Sequence, residues 1–339
     1  MIYDLAADTW DEEEKKAIHE VVNSGQLTMG PKVLEYEKKF AKYFGSKYAI
    51  MFNSGSSANL VGVASMFYRK HKPLLPGDEV IVPSISWSTT YHPLQQYGLK
   101  LIFVDVDLNT LNIDVGLIRK ALTKNTRMIV GVSILGNPAA LDVIRGFADE
   151  NDLIFFEDNC ESMDAEIDGK KTGTFGDFGT FSSFYLDQRS FLQYYLNYFY
   201  SHHISTIEGG YILTDDIEIN QLARSIRSHG WTRDLPEKST LFEKYDDDFF
   251  EAYRFILPAY NVRPQEINAA VGLEQLKKLP RFTEIRRKNL KTFEKIFGND
   301  DRFIIQCENG KSSSFCFTII LNPEFNIKRE LVLLKLTSA

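Results

Sequence analysis

A turn rich in serine and glycine occupies residues 53–59, with the sequence Asn-Ser-Gly-Ser-Ser-Ala-Asn. It follows a short apolar segment typical of a strand and precedes an apolar segment typical of a helix. The unpaired N–H groups and positive dipole of a helix N-terminus, together with serine hydroxyls, can bind a phosphate or another anion. A helix cap made of small residues explains the same sequence equally well, so this motif alone leaves both interpretations open.

Acidic side chains follow a second apolar segment, at Glu157, Asp158 and Glu161. A carboxylate at a strand end can pair with the protonated ring nitrogen of a bound cofactor and keep that ring an electron sink. A solvated turn is the usual explanation for one isolated aspartate. The crowding of several acids after a strongly apolar strand favours the cofactor interpretation here.

An indole and two imidazoles are the remaining candidates for chemistry. Trp87 follows the strand-like residues 79–83 and could stack on a planar heterocycle, although tryptophan more often lies in a core. His202 and His203 are neighbours, and no cysteine or carboxylate stands at a ligand spacing such as His-x3-His, so we predict no metal site. Because its ordinary pKa is near neutral, a histidine suits proton transfer instead.

Alternating strands and helices must position these residues. Apolar runs at residues 48–52, 79–83, 101–105, 128–132 and 153–157 alternate with helical stretches, which indicates a mostly parallel sheet buried on both faces. In such a sheet, ligands bind beyond the carboxyl ends of the strands, where the candidate residues stand. Further helices are predicted near residues 11–25, 30–43, 217–229 and 265–278, and a strand is predicted at 314–321.

Length and composition set the outer limits. The 339 residues predict a large α/β domain at 1–240 and a small α+β domain at 241–339. The net charge of −7 argues against nucleic-acid binding, and no apolar run is long enough to span a membrane. The first residues show no secretory signal, and three cysteines cannot all pair. We therefore expect a cytoplasmic protein with no membrane or nucleic-acid partner.

Several motifs together resemble the DegT/DnrJ/EryC1/StrS family of sugar aminotransferases, which are pyridoxal-phosphate (PLP) enzymes of fold type I. The matching segments, in the order the family shows, are residues 24–31, 53–59, 76–80, 136–139, 157–161, 173–177, 208–210 and 260–263. The resemblance implies a mostly parallel seven-stranded sheet, bound PLP or pyridoxamine phosphate (PMP), and a C-terminal domain shorter than the family's.

One departure from the family changes the expected reaction. Most members carry a PLP-binding lysine six residues before the acidic-Gly-Gly motif, where this chain has His202. A histidine subgroup acts as sugar 3-dehydratases, since imidazole cannot form an imine with the cofactor aldehyde. The resemblance implies C3 deoxygenation of a GDP-linked 4-keto-6-deoxy sugar, with L-glutamate as amino donor and release of ammonia, in deoxysugar (colitose-type, O-antigen) biosynthesis. His202 is the expected base, and His203 is the alternative.

The family's other functional residues carry over by position. The cofactor would be held by Gly55, Ser56, Trp87, Asp158, Glu161, Ser183 and Asn261. Within that set, Gly55, Ser56 and Ser183 would bind the phosphate, Trp87 would stack on the ring and Asp158 would pair with its nitrogen. Asn261 would reach the phosphate of a neighbouring subunit, which implies a homodimer. Substrate or glutamate would meet Gln26, Leu27, Thr28, Met29, His229, Arg233 and Arg263.

Further departures leave alternatives open. An insertion at about residues 186–199 separates Ser183 from His202, and the site requires that it loop out. Ala259 replaces a family glycine, which would strain the backbone if φ is positive there. The alternatives are a nucleotide-sugar 4-aminotransferase, which would need the missing lysine, and an inactive relative or binding protein. An iron–sulfur-dependent dehydratase is disfavoured because three cysteines cannot supply four ligands.

Overall fold

The computed structural model describes residues 9–184 and 202–338. The helices are α1 (Glu12–Ser24), α2 (Pro31–Phe44), α3 (Gly55–Tyr68), α4 (Ser88–Gln96), α5 (Val115–Ala121), α6 (Leu141–Glu150), α7 (Ile217–Arg227), α8 (Asp248–Ala252), α9 (Glu266–Phe297) and α10 (Arg329–Ser338). The strands are β1 (Tyr48–Phe52), β2 (Glu79–Pro83), β3 (Lys100–Val104), β4 (Thr126–Val132), β5 (Ile154–Asp158), β6 (Glu166–Ile167), β7 (Lys170–Lys171), β8 (Phe178–Ser182), β9 (Gly210–Thr214), β10 (Phe303–Ile304) and β11 (Ile320–Leu321).

Seven strands form one sheet in the order β1-β9-β8-β5-β4-β2-β3. Strand β9 is antiparallel to both of its neighbours, β1 and β8, while the pairs from β8 to β3 are all parallel. The predicted seven-stranded, mostly parallel sheet is therefore confirmed. The carboxyl ends of β1, β2, β5 and β8 consequently lie at the same edge of the sheet.

Helices cover both faces of the sheet, and alternate side chains of each strand enter opposite layers. In β1, Ile50 and Phe52 join the apolar cluster under α3 and α7, whereas Ala49 and Met51 join the cluster under α2 and α9. All four are at most 3% exposed. This two-sided burial explains why the strands are continuous apolar runs rather than alternating ones.

Carboxylates define the beginnings of the first two helices. The Asp11 side chain and Glu14 form a reciprocal capping box on α1, which ends at Gly25 with φ of 72°. The cap of α2 comes from α9, because the buried carboxylate of Glu266 accepts from the N–H groups of Gly30 and Val33. This long-range cap ties the chain just after residues 26–29 to the start of α9.

Two predicted elements are wrong in extent. Helix α9 does not end near residue 278 but continues through Pro280 to Phe297, because residues beyond the proline, such as Thr283 and Phe293, remain buried. Residues 314–321 form a strand only at β11. Ser314 has φ of 51°, and the Phe315 N–H donates to the Leu135 carbonyl, so this segment pairs with a loop instead of a sheet.

Other expectations have mixed outcomes. Ala259 is not among the residues with positive φ, so the expected strain does not occur. The insertion at 186–199 lies outside the described residues. The division at residue 240 stays a prediction, although α9 packs directly on α1 and α2. Within the described ranges, every helix falls short of the length and apolar character needed for a membrane span.

Candidate active site

Asp158 is the point where two helices and the sheet meet. It ends β5, is 4% exposed, and its Oδ2 accepts from Asn59 Nδ2 (2.9 Å) and from Thr90 Oγ1 (2.7 Å). Its Oδ1 accepts from the Cys160 N–H at 3.2 Å. These bonds orient the carboxylate and fix the starts of α3 and α4 beside the end of β5.

The N-terminus of α3 carries the serine- and glycine-rich turn. Ser54 caps the helix by accepting from the Ser57 N–H. A Cβ added to Gly55 would stand 2.6 Å from Ser182 Cβ and 3.2 Å from Cys160 Sγ, so only glycine permits this close approach. The cap interpretation is therefore correct for Ser54, and it leaves the backbone N–H groups at Gly55 and Ser56 for an anion.

Ser56 and Trp87 belong to the same rim. The exposed Ser56 hydroxyl donates to Thr89 Oγ1 at 3.2 Å, which joins α3 to α4. Trp87 directly precedes α4 and is 61% exposed, which excludes the core position considered for it. Because Thr90 bonds Asp158, the indole lies on the segment that touches the strand-end carboxylate.

The two glutamates on either side of Asp158, Glu157 and Glu161, have different surroundings. Glu157 is fully buried and accepts from the N–H groups of three residues of a turn: Gly173, Phe175 and Gly176. Burial raises its pKa, and these donors oppose the rise. Glu161 is partly buried, and its Oε2 accepts from the Leu135 N–H at 2.8 Å. Burial raises the pKa of Glu161 as well, and the nearby charge of Asp158 adds to the rise.

Ser183 lies in a buried hydroxyl cluster just after β8. Its Oγ is 2.5 Å from Thr206 Oγ1 and 2.6 Å from the Tyr211 hydroxyl. A Cβ on Gly209 would stand 2.4 Å from the same Oγ, so the acidic-Gly-Gly motif packs directly against this serine. Its predicted role in phosphate binding remains a prediction.

His202 lies beside the end of β8. Its backbone N–H donates to the Phe184 carbonyl at 3.4 Å, so the chain on either side of residues 185–201 comes together. Its ring packs edge-on to Phe184 (6.2 Å between centroids) and to Phe315 (5.5 Å). Burial, with a smaller contribution from the charge of Arg286, lowers the pKa of His202 to about 4. The imidazole is consequently neutral at neutral pH.

His203 is committed to a structural bond. It is fully buried, and its Nε2 is 3.1 Å from the Ser313 carbonyl oxygen. Because a carbonyl only accepts, Nε2 must carry the proton. Among the described residues its Nδ1 finds no hydrogen-bond partner. Burial lowers the pKa of His203 well below its ordinary value, and the charge of Arg286 adds to this effect.

The predicted substrate segment at residues 26–29 lies along the start of α9. Gln26 Nε2 donates to the Thr28 carbonyl at 3.3 Å, and the Leu27 carbonyl accepts from the Glu266 N–H. Leu27 is 48% exposed, whereas Met29 packs against the apolar cluster under α2. The exposed part of this segment is therefore residues 26–28.

The remaining predicted residues fall into two groups. Asn261 Oδ1 accepts from Arg263 Nε at 3.0 Å, and the intervening Val262 carbonyl accepts from the Asn53 N–H, so this pair lies beside the turn at 53–59. His229 and Arg233 instead gather around Trp231. The guanidinium of Arg233 lies 4.0 Å over the Trp231 ring, and the His229 ring is 6.5 Å from it.

Sequence reasoning missed the residues that orient Asp158. Asn59 and Thr90 bond its carboxylate, and Thr180 of β8 in turn donates to Asn59 Oδ1 at 2.6 Å. Asn59 was part of the recognised turn but had no assigned role. A polar side chain one helical turn into the apolar α3 was the available signal, since a buried amide needs partners.

The donor set fits pyridoxal phosphate. A capped helix N-terminus at Gly55 can take the phosphate, the exposed indole of Trp87 can cover a ring, and the oriented carboxylate of Asp158 can pair with a protonated ring nitrogen. Such a sheet, with these groups beyond the carboxyl ends of β1, β2 and β5, is the architecture of PLP-dependent enzymes of fold type I.

Comparison with known proteins identifies the family. The profile of the DegT/DnrJ/EryC1/StrS aminotransferase family matches residues 8–339. GDP-4-keto-6-deoxy-D-mannose 3-dehydratase of Escherichia coli O55:H7 is 49% identical over 338 residues, which are 99% of this chain and 83% of that protein. The chain belongs to the DegT/DnrJ/EryC1/StrS family.

Solved structures agree in fold. A histidine-to-asparagine variant of GDP-4-keto-6-deoxymannose-3-dehydratase with bound GDP-perosamine gives a TM-score of 0.92 at 49% identity, over 99% of this chain and 84% of that one. Another structure of this dehydratase, with a trapped PLP-glutamate geminal diamine, gives 0.93 at the same identity and coverage. The predicted aminotransferase fold is thereby confirmed.

Proposed function

We propose that this chain is a PLP-dependent 3-dehydratase that removes the C3 hydroxyl of GDP-4-keto-6-deoxy-D-mannose. L-Glutamate serves as amino donor, and ammonia is released. The observation that carries the proposal is an imidazole, His202, beside the end of β8 in a chain that has no lysine between Ser183 and Glu208. The 49% identity to a 3-dehydratase over nearly the whole chain supports it. The product would enter deoxysugar biosynthesis of the colitose and O-antigen type.

The chain's own residues hold and orient the cofactor, which supplies an amino-group carrier and an electron sink. Gly55 and Ser56 bind its phosphate at the start of α3, and Ser183 is the third predicted phosphate residue. Trp87 covers the ring. Asp158 pairs with the ring nitrogen, and its orientation is set before binding by Asn59 and Thr90.

Glu161 orients the reactive end of the cofactor, because it lies in the turn that follows Asp158 and is itself held by the Leu135 N–H. Because the Ser183–Glu208 stretch contains no lysine, the position that binds PLP covalently in most family members carries no amine. The same absence removes the group that would return a proton to sugar C4 in an aminotransferase. This favours loss of the C3 hydroxyl over amination.

We assign the proton transfers of the reaction to His202. Its imidazole is neutral at neutral pH, because its pKa is lowered to about 4, and so can accept a proton without first losing one. An imidazolium of low pKa is in turn a strong acid, which suits protonation of the departing hydroxyl. His203 is disfavoured as the base, since it is fully buried and its Nε2 already donates to Ser313.

The test uses purified protein with PLP, L-glutamate and GDP-4-keto-6-deoxy-D-mannose. Release of ammonia and 2-oxoglutarate, with a product lighter by one oxygen atom in mass spectrometry, supports the proposal. A product carrying an amine at C4 would establish the aminotransferase instead. If folded protein that binds PLP forms neither product, both enzymatic hypotheses are refuted.

His202→Asn tests the assigned base. We expect kcat to fall by about 10²–10⁴-fold while PLP absorbance titration remains unchanged. His19→Asn is the matched control, because His19 is an exposed histidine on α1 and its replacement should leave the rate unaltered.

A homodimer completes the proposed site through Asn261, which is exposed in the single chain. Exposed aromatic residues in the preceding segment 245–255 support a subunit interface: Tyr245, Phe249, Tyr253 and Phe255 are 54–77% exposed. The test mixes His202→Asn and Asn261→Ala subunits. If Asn261 serves the partner's phosphate, mixed dimers regain activity at one of their two sites, whereas each variant alone is inactive.

The sugar nucleotide and glutamate meet the remaining predicted residues: Gln26, Leu27, Thr28, Met29, His229, Arg233 and Arg263. We place the diphosphate at Arg263, since it is held beside the turn at 53–59 through Asn261. Arg263→Met should raise KM for the nucleotide sugar and leave KM for glutamate unchanged.

We also propose a cytoplasmic location, which the three free cysteines support.

A further inference from the structure

Residues 311–315, here named the clamp segment, lie directly on the loop at Leu135 and Gly136. The Ser313 N–H donates to the Gly136 carbonyl at 2.9 Å, and the Phe315 N–H donates to the Leu135 carbonyl at 3.1 Å. Gly136 has φ of 91°, and a Cβ there would stand 2.5 Å from the Phe315 nitrogen. The fit is therefore backbone against backbone, next to the loop that binds Glu161.

Two adjacent arginines of α9 hold the clamp segment at different points. Arg286 Nη1 donates to the carbonyls of Ser314 (3.2 Å) and Phe315 (3.1 Å). Arg287 Nε donates to the Ser312 carbonyl at 2.9 Å, and its Nη2 donates to the Asp164 carbonyl. Arg286 thus bonds Phe315, whose ring reaches the imidazoles, whereas Arg287 bonds Ser312 and Asp164.

The Phe315 ring covers both histidines. Its centroid is 5.5 Å from that of His202, in an edge-on arrangement, and 5.8 Å from that of His203. The His203 bond to Ser313 holds the same segment from the other side. His202 thus lies between two phenyl rings, those of Phe184 and Phe315.

We propose that Arg286 is a positioning residue for proton transfer by His202: it holds the Ser314 and Phe315 carbonyls and thereby keeps the Phe315 ring against the imidazole. This rests on the proposed function, in which His202 is the base. Arg286 acts through Phe315 and touches no reacting atom. The clamp segment and α9 lie beyond residue 265, so the part of the chain outside the main sheet helps to define the site.

The charge of Arg286 lowers the pKa of His202, as does the burial to which the Phe315 ring contributes. Arg286 lowers the pKa of both imidazoles, after the larger effect of burial. Among the described residues, His202 and Arg287 also lower the pKa of His203, and Cys316 acts on Arg286. Burial raises the pKa of Cys316 to about 11, so this thiol stays neutral. Glu161 acts on Cys316 rather than on either imidazole. Within the part of the chain that the structure describes, Arg286 is consequently a cation that opposes protonation of His202.

The experiment compares Arg286→Met, Arg286→Lys and Arg287→Met by the pH dependence of kcat with PLP, glutamate and the nucleotide sugar. In Arg286→Met, the acidic limb of the profile should move upward by about one pH unit, because a nearby like charge no longer disfavours the imidazolium. Arg286→Lys keeps the charge and a donor, so the limb should return toward that of the wild type. Arg287→Met is the matched control, and its limb should stay in place.

A second readout is independent of turnover: the titration of the His202 ring by NMR in labelled protein. Equal activity losses in Arg286→Met and Arg287→Met, with both limbs unmoved, would show a merely structural role and overturn the proposal. If the wild type has no dehydratase activity, the proposed function fails, and the NMR titration decides alone. A shift in Arg286→Met only would then support the hold on His202, and no shift would refute it. Should Arg286→Met not fold, Arg286→Gln, which removes the charge and keeps a donor, takes its place.

Discussion

Glu37 of α2 is a buried carboxylate whose replacement should weaken the fold by a calculable amount. Its side chain is 3% exposed and accepts from Arg224 Nη1 (2.8 Å), Arg227 Nη1 (2.6 Å) and the Met51 N–H (2.9 Å). Arg227 is 1% exposed. The cluster joins α2, β1 and α7 directly behind the turn at residues 53–59.

Glu37→Gln keeps the shape of the side chain and removes its charge. Two guanidinium groups, one fully buried, are then left without a counter-charge. Removing one partner of a buried ion pair costs about 3–5 kcal/mol, because the remaining charge is desolvated and uncompensated. That is a large part of the ~5–15 kcal/mol that holds a typical domain folded.

The loss should depend on pH in a definite direction. Burial alone would raise the pKa of Glu37, but the charges of Arg224 and Arg227 outweigh it and hold the pKa below the ordinary value of 4.5. A folded-state pKa below the unfolded one gives stability that is present above the unfolded value and is lost as the pH falls through the folded value. The difference between wild type and Glu37→Gln should therefore be constant near neutral pH and shrink in acid below about pH 4.5.

Unfolding by guanidinium chloride, followed by both fluorescence and circular dichroism, measures the free energy of unfolding. Glu35→Gln is the matched control on the same helix, since Glu35 forms an exposed pair with Lys39 at 2.8 Å. Such a pair contributes about 0.3–0.5 kcal/mol. If Glu37→Gln unfolds within about 1 kcal/mol of the wild type at neutral pH, the buried-pair reasoning is wrong.

Three other substitutions have equally direct outcomes. Gly55→Ala should weaken PLP binding by about tenfold or more in an absorbance titration, since its Cβ would collide with Ser182 at 2.6 Å. Unchanged affinity would contradict the proposal that the phosphate binds at this helix end. Asp158→Asn should lower kcat by roughly 10²-fold or more, through loss of the charge facing the ring nitrogen, while PLP stays bound; full activity would contradict the assigned role. Gly146→Ala, on the exposed side of α6 with nothing within 4 Å of the new Cβ, should raise the free energy of unfolding by about 0.5–1 kcal/mol, and a lowered value would refute this.

Local patterns predict much of this fold because the strands are short apolar runs between clear turns. β1 and β2 have the predicted bounds, and β3, β4 and β5 differ by one or two residues. The order of the strands was not predicted, since the family resemblance implied only a mostly parallel seven-stranded sheet. Nothing in the local sequence of β9 shows that it enters between β1 and β8, since that choice depends on packing against distant elements.

The site, like the fold, was predictable where local sequence patterns or the family resemblance indicate a residue. Asp158 and Trp87 stand at strand ends that the apolar pattern reveals, and His202 was found by comparison with the family. The groups that orient Asp158 were not predicted, because Asn59, Thr90 and Thr180 meet only through tertiary folding. The strand predicted at residues 314–321 was wrong at its beginning, because Phe315, its second residue, packs on two imidazoles rather than on a sheet.

The place of β9 has a consequence for how the protein is made. Among the described strands, β1 pairs with β9 alone, and β9 begins only at Gly210 whereas β1 ends at Phe52. At about 5–20 residues per second, a ribosome needs on the order of ten seconds to deliver that partner. During this interval the first strand leaves the tunnel with an unsatisfied edge, so a chaperone that shields nascent apolar segments should raise the yield of native protein more than slower synthesis does.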